Sequence, residues 1–266
     1  GTWVNKHNVW DNDIKEPNYS YHNLFRLLET QNPSKKTAIF STWLDNRTKL
    51  VGEGKAEAGG IQLDHHFDGL EHDTIKYPHD KEAFYIHKID EEVVNKAAAY
   101  IKSDAPDLTW IYLEYTDDMG HMFGNSGRFE KSIEIMDHQV GRIWEAIQRR
   151  QTNSKEDWEV YITTDHGRDA ELGKNHGGQS DRERTTWIVT NATGLNDYFK
   201  KYQPAIVDIM PSMADALNLK MTRDLKMELD GVSLTGPVSA IEPKAALVDS
   251  NKIEVKWKAL EQKGNA

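Results

Sequence analysis

Apolar runs of strand length alternate with stretches of helical period along this chain. Leu24, Leu27 and Leu28 set a helix over Tyr19–Thr30, and the buried-strand run Lys36–Thr42 follows it. Residues 52–80 carry Gly, Asp and His with little periodicity and read as an irregular excursion holding one short strand. Asp90–Lys102 has helical composition, Pro106 breaks it, and Trp110–Leu113 reads as a second buried strand. Phe129, Ile133, Met136, Val140, Ile143 and Ile147 recur at steps of three and four within Arg128–Arg150. That spacing predicts a long amphipathic helix packed on the sheet. Trp158–Ile162 and Thr185–Thr190 read as further strands, and Ile206–Leu217 as a helix. Strands alternating with helices predict an α/β sandwich around a mostly parallel sheet. Near the end Ile253, Val255 and Trp257 alternate with charged residues, the pattern of a half-buried strand.

Two of the strands run into Asp-His clusters. Asp117-x-x-x-His121 follows the Trp110 run, Thr164-Asp165-His166-Gly167 follows the Trp158 run, and His176 lies shortly after. Side chains at the ends of adjacent strands converge on one point, and Gly120 suits a tight turn that aims Asp117 and His121 at one ion. Asp and His supply oxygen and nitrogen ligands suited to Zn²⁺, and with no Cys in the chain a thiolate site is excluded. Five such donors exceed one closed tetrahedral site and suit two metals sharing a cleft, an arrangement used to hydrolyse phosphate esters.

Asp117-Asp118-Met119-Gly120-His121-Met122-Phe123-Gly124 resembles the D-x-x-G-H-x-x-G element of the alkaline phosphatase superfamily, in particular its nucleotide pyrophosphatase/phosphodiesterase branch. Thr163-Thr164-Asp165-His166-Gly167 resembles that branch's second metal motif, His176-Gly177-Gly178 its last histidine ligand, and Gly1–Val9 the segment just past the nucleophile. The resemblance implies an alkaline-phosphatase-like α/β/α sandwich and two Zn²⁺ ions. Asp117, His121 and His176 would hold one ion, although some family members place the last histidine much further along. Asp165 and His166 would hold the other. It also implies a metal-binding Asp closing a first strand and a Thr or Ser nucleophile after it, both ahead of the segment at Gly1. The expectation is therefore a partial catalytic domain over residues 1–236, incomplete at its N-terminus and nearly inactive in this form. A tail over 237–266 is similar to the opening of a fibronectin type III or immunoglobulin-like module. The implied activity is metal-dependent hydrolysis of a small-molecule phosphate ester, by a phosphodiesterase, pyrophosphatase or phosphatase. Alternatives are a sulfatase-like hydrolase and a non-catalytic relative that binds without turnover. The resemblance further implies an extracytoplasmic setting, periplasmic or secreted.

Composition narrows this moderately. Among 266 residues 38% are hydrophobic and eight are Trp, enough for a sizeable core. A formal charge of -10 argues against nucleic acid as the main partner. Phosphate substrates stay open, because bound dications reverse the local field. No apolar run approaches the roughly 18 residues that span a bilayer. A sheet lacking its first strand would expose an edge and favour self-association. Arg168, beside His166, faces an anionic substrate or pairs with a nearby carboxylate. Ser41 and Thr42 are the candidate stand-ins for a nucleophile, read more simply as strand-end polar residues. His65 and His66, flanked by Asp64 and Asp68, read as a solvated or substrate-facing loop, and His138 as exposed on the long helix.

Overall fold

Strand β1 (Thr37–Ser41) is buried at every residue, which is what its unbroken apolar run requires of a central strand. It lies between β2 (His65–Phe67) and β3 (Leu108–Tyr112), both parallel to it, with Ile39 opposite His66 on one side and Trp110 on the other. The structure, a computed structural model, describes residues 1–260 and resolves into two units. The first comprises Val4–Trp158 and Thr164–Trp187; the second comprises Gly1–Trp3, Glu159–Thr163 and the chain from Ile188 on.

In the first unit α1 (Val4–His7) precedes α2 (Leu24–Gln31), whose start is capped where Arg26 N donates to Asn23 Oδ1 at 2.9 Å. The irregular excursion is held by Arg47, whose guanidinium forks onto Asp68 at 2.6 and 2.9 Å and reaches Glu53 at 2.6 Å. The short strand expected there is β2. His65 is not in a solvated loop: it pairs in β2 and stacks on Tyr100, ring centroids 4.2 Å apart. Helix α3 (Phe84–Asp104) buries Ile86, Ile89, Val93, Val94, Ala97 and Ile101, and packs on β1 and β3. Helix α4 (Tyr115–Phe123) follows β3 directly. The long helix α5 (Gly127–Ser154) packs chiefly on α3 and α4 instead of on the sheet as its spacing suggested. Polar pairs explain the seat, since Gln139 Nε2 and Arg142 both donate to Glu91 of α3 at 2.8 Å. The short helix α6 (Asp181–Arg184) begins at a Ser180/Glu183 capping box.

In the second unit β4 (Tyr161–Thr163) pairs with β5 (Ile188–Thr190), Ile162 opposite Val189. That pairing is antiparallel, a departure from the mostly parallel sheet expected for these two strands, and it closes a separate two-stranded sheet. Helices α7 (Asp197–Lys201), α8 (Ile209–Ala216) and α9 (Arg223–Glu228) follow. Asp208 organises this unit from a buried position: its carboxylate accepts from Ala205 N and Val232 N at 2.7 and 2.8 Å. The chain then forms a hairpin of β6 (Ala240–Asp249) and β7 (Lys252–Ala259). The Ile253/Val255/Trp257 alternation is thus a strand, but its apolar residues stay more than half exposed where half-burial was expected.

The α/β class and the parallel sheet stand as the strand–helix alternation predicted. No helix among the described residues is long and apolar enough to cross a membrane.

Candidate metal centre

Asp117 and His121 do not sit at a strand end turning through Gly120. They lie on α4, four residues apart and hence on one face, with Asp117 Oδ2 3.2 Å from His121 Nε2. The chain becomes helical there because the N-terminus of α4 receives a cap from elsewhere. Asp90 of α3 is fully buried, and its carboxylate accepts from Glu114 N at 3.1 Å, Tyr115 N at 3.0 Å and Thr42 Oγ1 at 2.5 Å. The first amides of a helix have no partner within it, and a carboxylate there satisfies them and the helix dipole together.

His176 comes from the loop after β4. That loop is wound around Asp169, whose carboxylate accepts from the backbone of Glu171, Leu172, Gly173 and Asn175 at 2.7–3.1 Å. These amides hold the Asp169 carboxyl well below the usual carboxylate range. The loop is tied to the end of α4 by Asn125 N donating to Leu172 O at 2.9 Å. Gly124 (φ +54°) allows this approach, since a Cβ there would overlap the Leu172 carbonyl.

Asp117, His121 and His176 each direct one ligand atom to a common point, all within 4.8 Å of one another. The two imidazoles meet end to end, His121 Nε2 3.0 Å from His176 Nε2. Two imidazole nitrogens facing each other beside a carboxylate are a donor set that a cation would satisfy, so the residues fit a bound metal. Burial, then the neighbouring His166, pulls the His176 imidazole below its ordinary pKa, against the opposing pull of Asp117. A neutral ring is the form that ligates.

His166 joins the trio by stacking on His176, centroids 3.7 Å apart at 16°. Its Nδ1 lies 2.9 Å from Gly167 O; with the proton on Nδ1, Nε2 presents its lone pair 3.7 Å from Asp117 Oδ1 and 3.6 Å from Asp165 Oδ1. Asp165 is the most open of the five, its side chain 69% exposed. The structure brings Asp117, His121 and His176 together as one set, with His166 stacked on His176; Asp165 contacts its neighbour His166 and is not grouped with the trio.

Arg168 departs from the substrate-facing reading. It is buried, and its guanidinium is engaged by the Asp117 carboxylate, the Asp117 carbonyl at 2.6 Å and the Lys174 carbonyl at 3.2 Å. An anion in solvent does not reach a guanidinium so enclosed. Ser41 and Thr42 are also fully buried: Ser41 Oγ donates to Trp43 O at 2.7 Å, and Thr42 is held by Asp90. Two further acids lie at the start of α4, Glu114 at its N-cap and Asp118 in its first turn. Burial, then Asp118, pushes Glu114 up to about 8, and burial, then Asp117, raises Asp118. Asp90, raised to about 7 by burial, was legible as a charged residue in the apolar stripe of α3.

A family model for type I phosphodiesterase / nucleotide pyrophosphatase matches residues 1–263. The chain belongs to this family. The type I phosphodiesterase family is a branch of the alkaline phosphatase superfamily, the one its metal motifs resemble. Curated relatives include the 2,3-bisphosphoglycerate-independent phosphoglycerate mutases of Mycoplasma mycoides subsp. mycoides SC and Mycoplasma capricolum subsp. capricolum. They are 29% and 28% identical over 138 residues, 52% of this chain and 25% of each relative. The mutase of Mycoplasmoides gallisepticum is 24% identical over 122 residues, covering 46% of this chain and 23% of its own. The chain thus matches about a quarter of the length of these relatives. Among solved structures, a Leishmania mexicana phosphoglycerate mutase studied at low cobalt concentration superposes with a TM-score of 0.48 at 11% identity. That superposition covers 79% of this chain and 38% of the other. For this phosphodiesterase-family chain, the mutases mark a nearby branch of the superfamily.

Proposed function

We propose that this chain supplies the metal-binding part of a metal-dependent phosphoester hydrolase of the phosphodiesterase/pyrophosphatase type. The observation that carries the reading is the convergence of Asp117 and the Nε2 atoms of His121 and His176 within 4.8 Å. Asp117, His121 and His176 would hold one ion, and Asp165 with His166 a second, the imidazole-rich set suiting Zn²⁺ better than Ca²⁺. When bound, such ions polarise a phosphoryl oxygen and neutralise charge in an in-line displacement. The residues of the chain do the rest. His176, pulled below its ordinary pKa, offers an unprotonated nitrogen at neutral pH. His166 offers Nε2 because Nδ1 is turned to the Gly167 carbonyl.

The family match and the imidazole-rich donor set favour phosphate over sulfate esters. A second reading, phosphoryl transfer to an alcohol instead of water, has the mutase relatives in its favour. Ser41 and Thr42 are not proposed as nucleophiles, since their hydroxyls are buried and already bonded, and weak turnover is expected. Self-association is proposed through β2 and β3, which among the described residues each pair on one side only.

The test is a Zn²⁺-supplemented assay on bis-p-nitrophenyl phosphate and p-nitrophenyl phosphate, with and without glycerol as acceptor. Slow, chelator-sensitive release from the diester, insensitive to glycerol, is expected. Product phosphorylated on glycerol would favour the transferase reading. Metal-independent release would contradict both.

A further inference from the structure

We propose that Arg168 is a positioning residue for the metal ligand Asp117, and that residue 120 is glycine in order to admit it. The inference rests on the metal reading of Asp117, His121 and His176. Arg168 Nη2 takes Oδ1 of Asp117 and, at 2.6 Å, the same residue's main-chain oxygen; Nη1 holds the Lys174 carbonyl at 3.2 Å. One guanidinium so joins the α4 ligand to the loop that delivers His176. Oδ2 of Asp117 faces His121 Nε2, 3.2 Å away, while Oδ1, the oxygen that Arg168 holds, lies 3.8 Å from His176 Nε2. The arrangement is a ligating carboxylate oriented by an outer partner, which fixes its rotamer between the two imidazoles.

Gly120 supplies an independent observation. It is buried in the middle of α4, where Gly costs about 1 kcal/mol of helix propensity relative to Ala. A Cβ at this position would overlap Cζ and Nε of Arg168. The guanidinium therefore lies across the bare backbone of the helix, in the space a side chain would take. The φ of Gly120 is not positive, so no backbone conformation demands glycine there.

The electrostatic sign makes the proposal testable. A cation beside a dication site weakens metal binding if it acts only through its field, so deleting Arg168 would then tighten binding. If it acts by orienting Asp117, deleting it weakens binding despite the relief of repulsion. Metal-free protein is titrated with Co²⁺ by calorimetry and by its visible d–d spectrum, in wild type, Arg168→Lys, Arg168→Met and Gly120→Ala. The expected result is Co²⁺ binding weaker by about 10–100-fold in all three variants, the range typical of lost outer-shell partners, with an altered d–d envelope. Arg168→Lys keeps the charge and loses the fork, so it should resemble Arg168→Met. Gly120→Ala keeps Arg168 and displaces it, and should weaken Co²⁺ binding even if the helix melts higher. Unchanged affinity and spectrum in the variants, or tighter binding in Arg168→Met with Arg168→Lys unaffected, overturns the proposal. Should Arg168→Met fail to fold by circular dichroism, Gly120→Ala and Arg168→Lys decide the matter. Failure of the wild type to bind Co²⁺ would instead sink the metal reading beneath it.

Discussion

Asp117→Ala should abolish metal binding and destabilise the protein at the same time. The carboxylate meets His121 Nε2 through one oxygen and Arg168 through the other, and lies 3.7–3.8 Å from the Nε2 atoms of His166 and His176. Every imidazole of the cluster is thus referred to this one side chain. Losing it should cost more than the roughly 10–100-fold in affinity attached to an outer partner. It also leaves the buried Arg168 cation with carbonyl partners alone. Orphaning one member of a buried pair costs about 3–5 kcal/mol. Because Asp117 is 34% exposed, solvent replaces part of what is lost, and about 1–3 kcal/mol is expected. Asp117→Asn separates the effects: its amide oxygen still accepts from Arg168, so stability should largely return while metal affinity does not. Calorimetric metal titration alongside urea unfolding measures both. Full metal affinity in Asp117→Ala would remove this residue from the site.

Asp90→Ala should be among the most destabilising single changes in the first unit. Asp90 is fully buried, and three donors, Thr42 Oγ1, Glu114 N and Tyr115 N, would lose their acceptor together. A buried donor left unsatisfied costs about 1–3 kcal/mol, and loss of a helix cap typically about 1 kcal/mol. A total of about 3 kcal/mol or more is expected by denaturant unfolding. The pH dependence has a definite sign. Burial raises the folded pKa of Asp90 to about 7, so between an unfolded value of roughly 4 and about 7 the native state keeps a proton that the unfolded chain has released. Native stability from this group is therefore full at low pH and is lost as pH rises to about 7. Asp90→Asn, which does not titrate, should flatten that part of the metal-free stability–pH curve. A slope unchanged between wild type and Asp90→Asn would show that Asp90 does not titrate in this window.

Much of this was legible in the sequence. The apolar run of β1 and the leucine spacing of α2 match the observed strand and helix, while in α5 only Ile143 and Ile147 of the expected stripe are buried, Ser132 and Gln139 taking the place of the exposed Ile133. The Asp and His motifs named the residues that meet, because their chemistry is specific even where their backbone is misread. The misreadings share a physical cause. The turn expected for Asp117 and His121 rests on Gly120, which suits a tight turn that aims both side chains at one ion. The cap that makes α4 a helix comes from Asp90, 24 residues before Glu114, and the reason for Gly120 is a guanidinium 48 residues after it. For Arg168 the sequence leaves a substrate-facing and a carboxylate-paired reading open, because the Asp117 carboxylate and carbonyl that settle it are 51 residues away in sequence. β4 looked like one more parallel strand because strand direction leaves no mark in an apolar run; the partner β5 decides it. In each case a tertiary partner settled what local pattern left open.

His121 and His176, with His166 beside them, are proposed to ligate a metal through Nε2. This ligation is tested most directly by following the ring nitrogens of all 11 histidines by ¹⁵N-resolved NMR while Zn²⁺ is added to the metal-free protein. Saturating shifts at Nε2 of His121 and His176, joined by His166, with the remaining histidines such as His65, His66 and His138 unmoved, are the predicted result. Zn²⁺-dependent shifts confined to histidines outside this cluster, or none at stoichiometric metal, would contradict it.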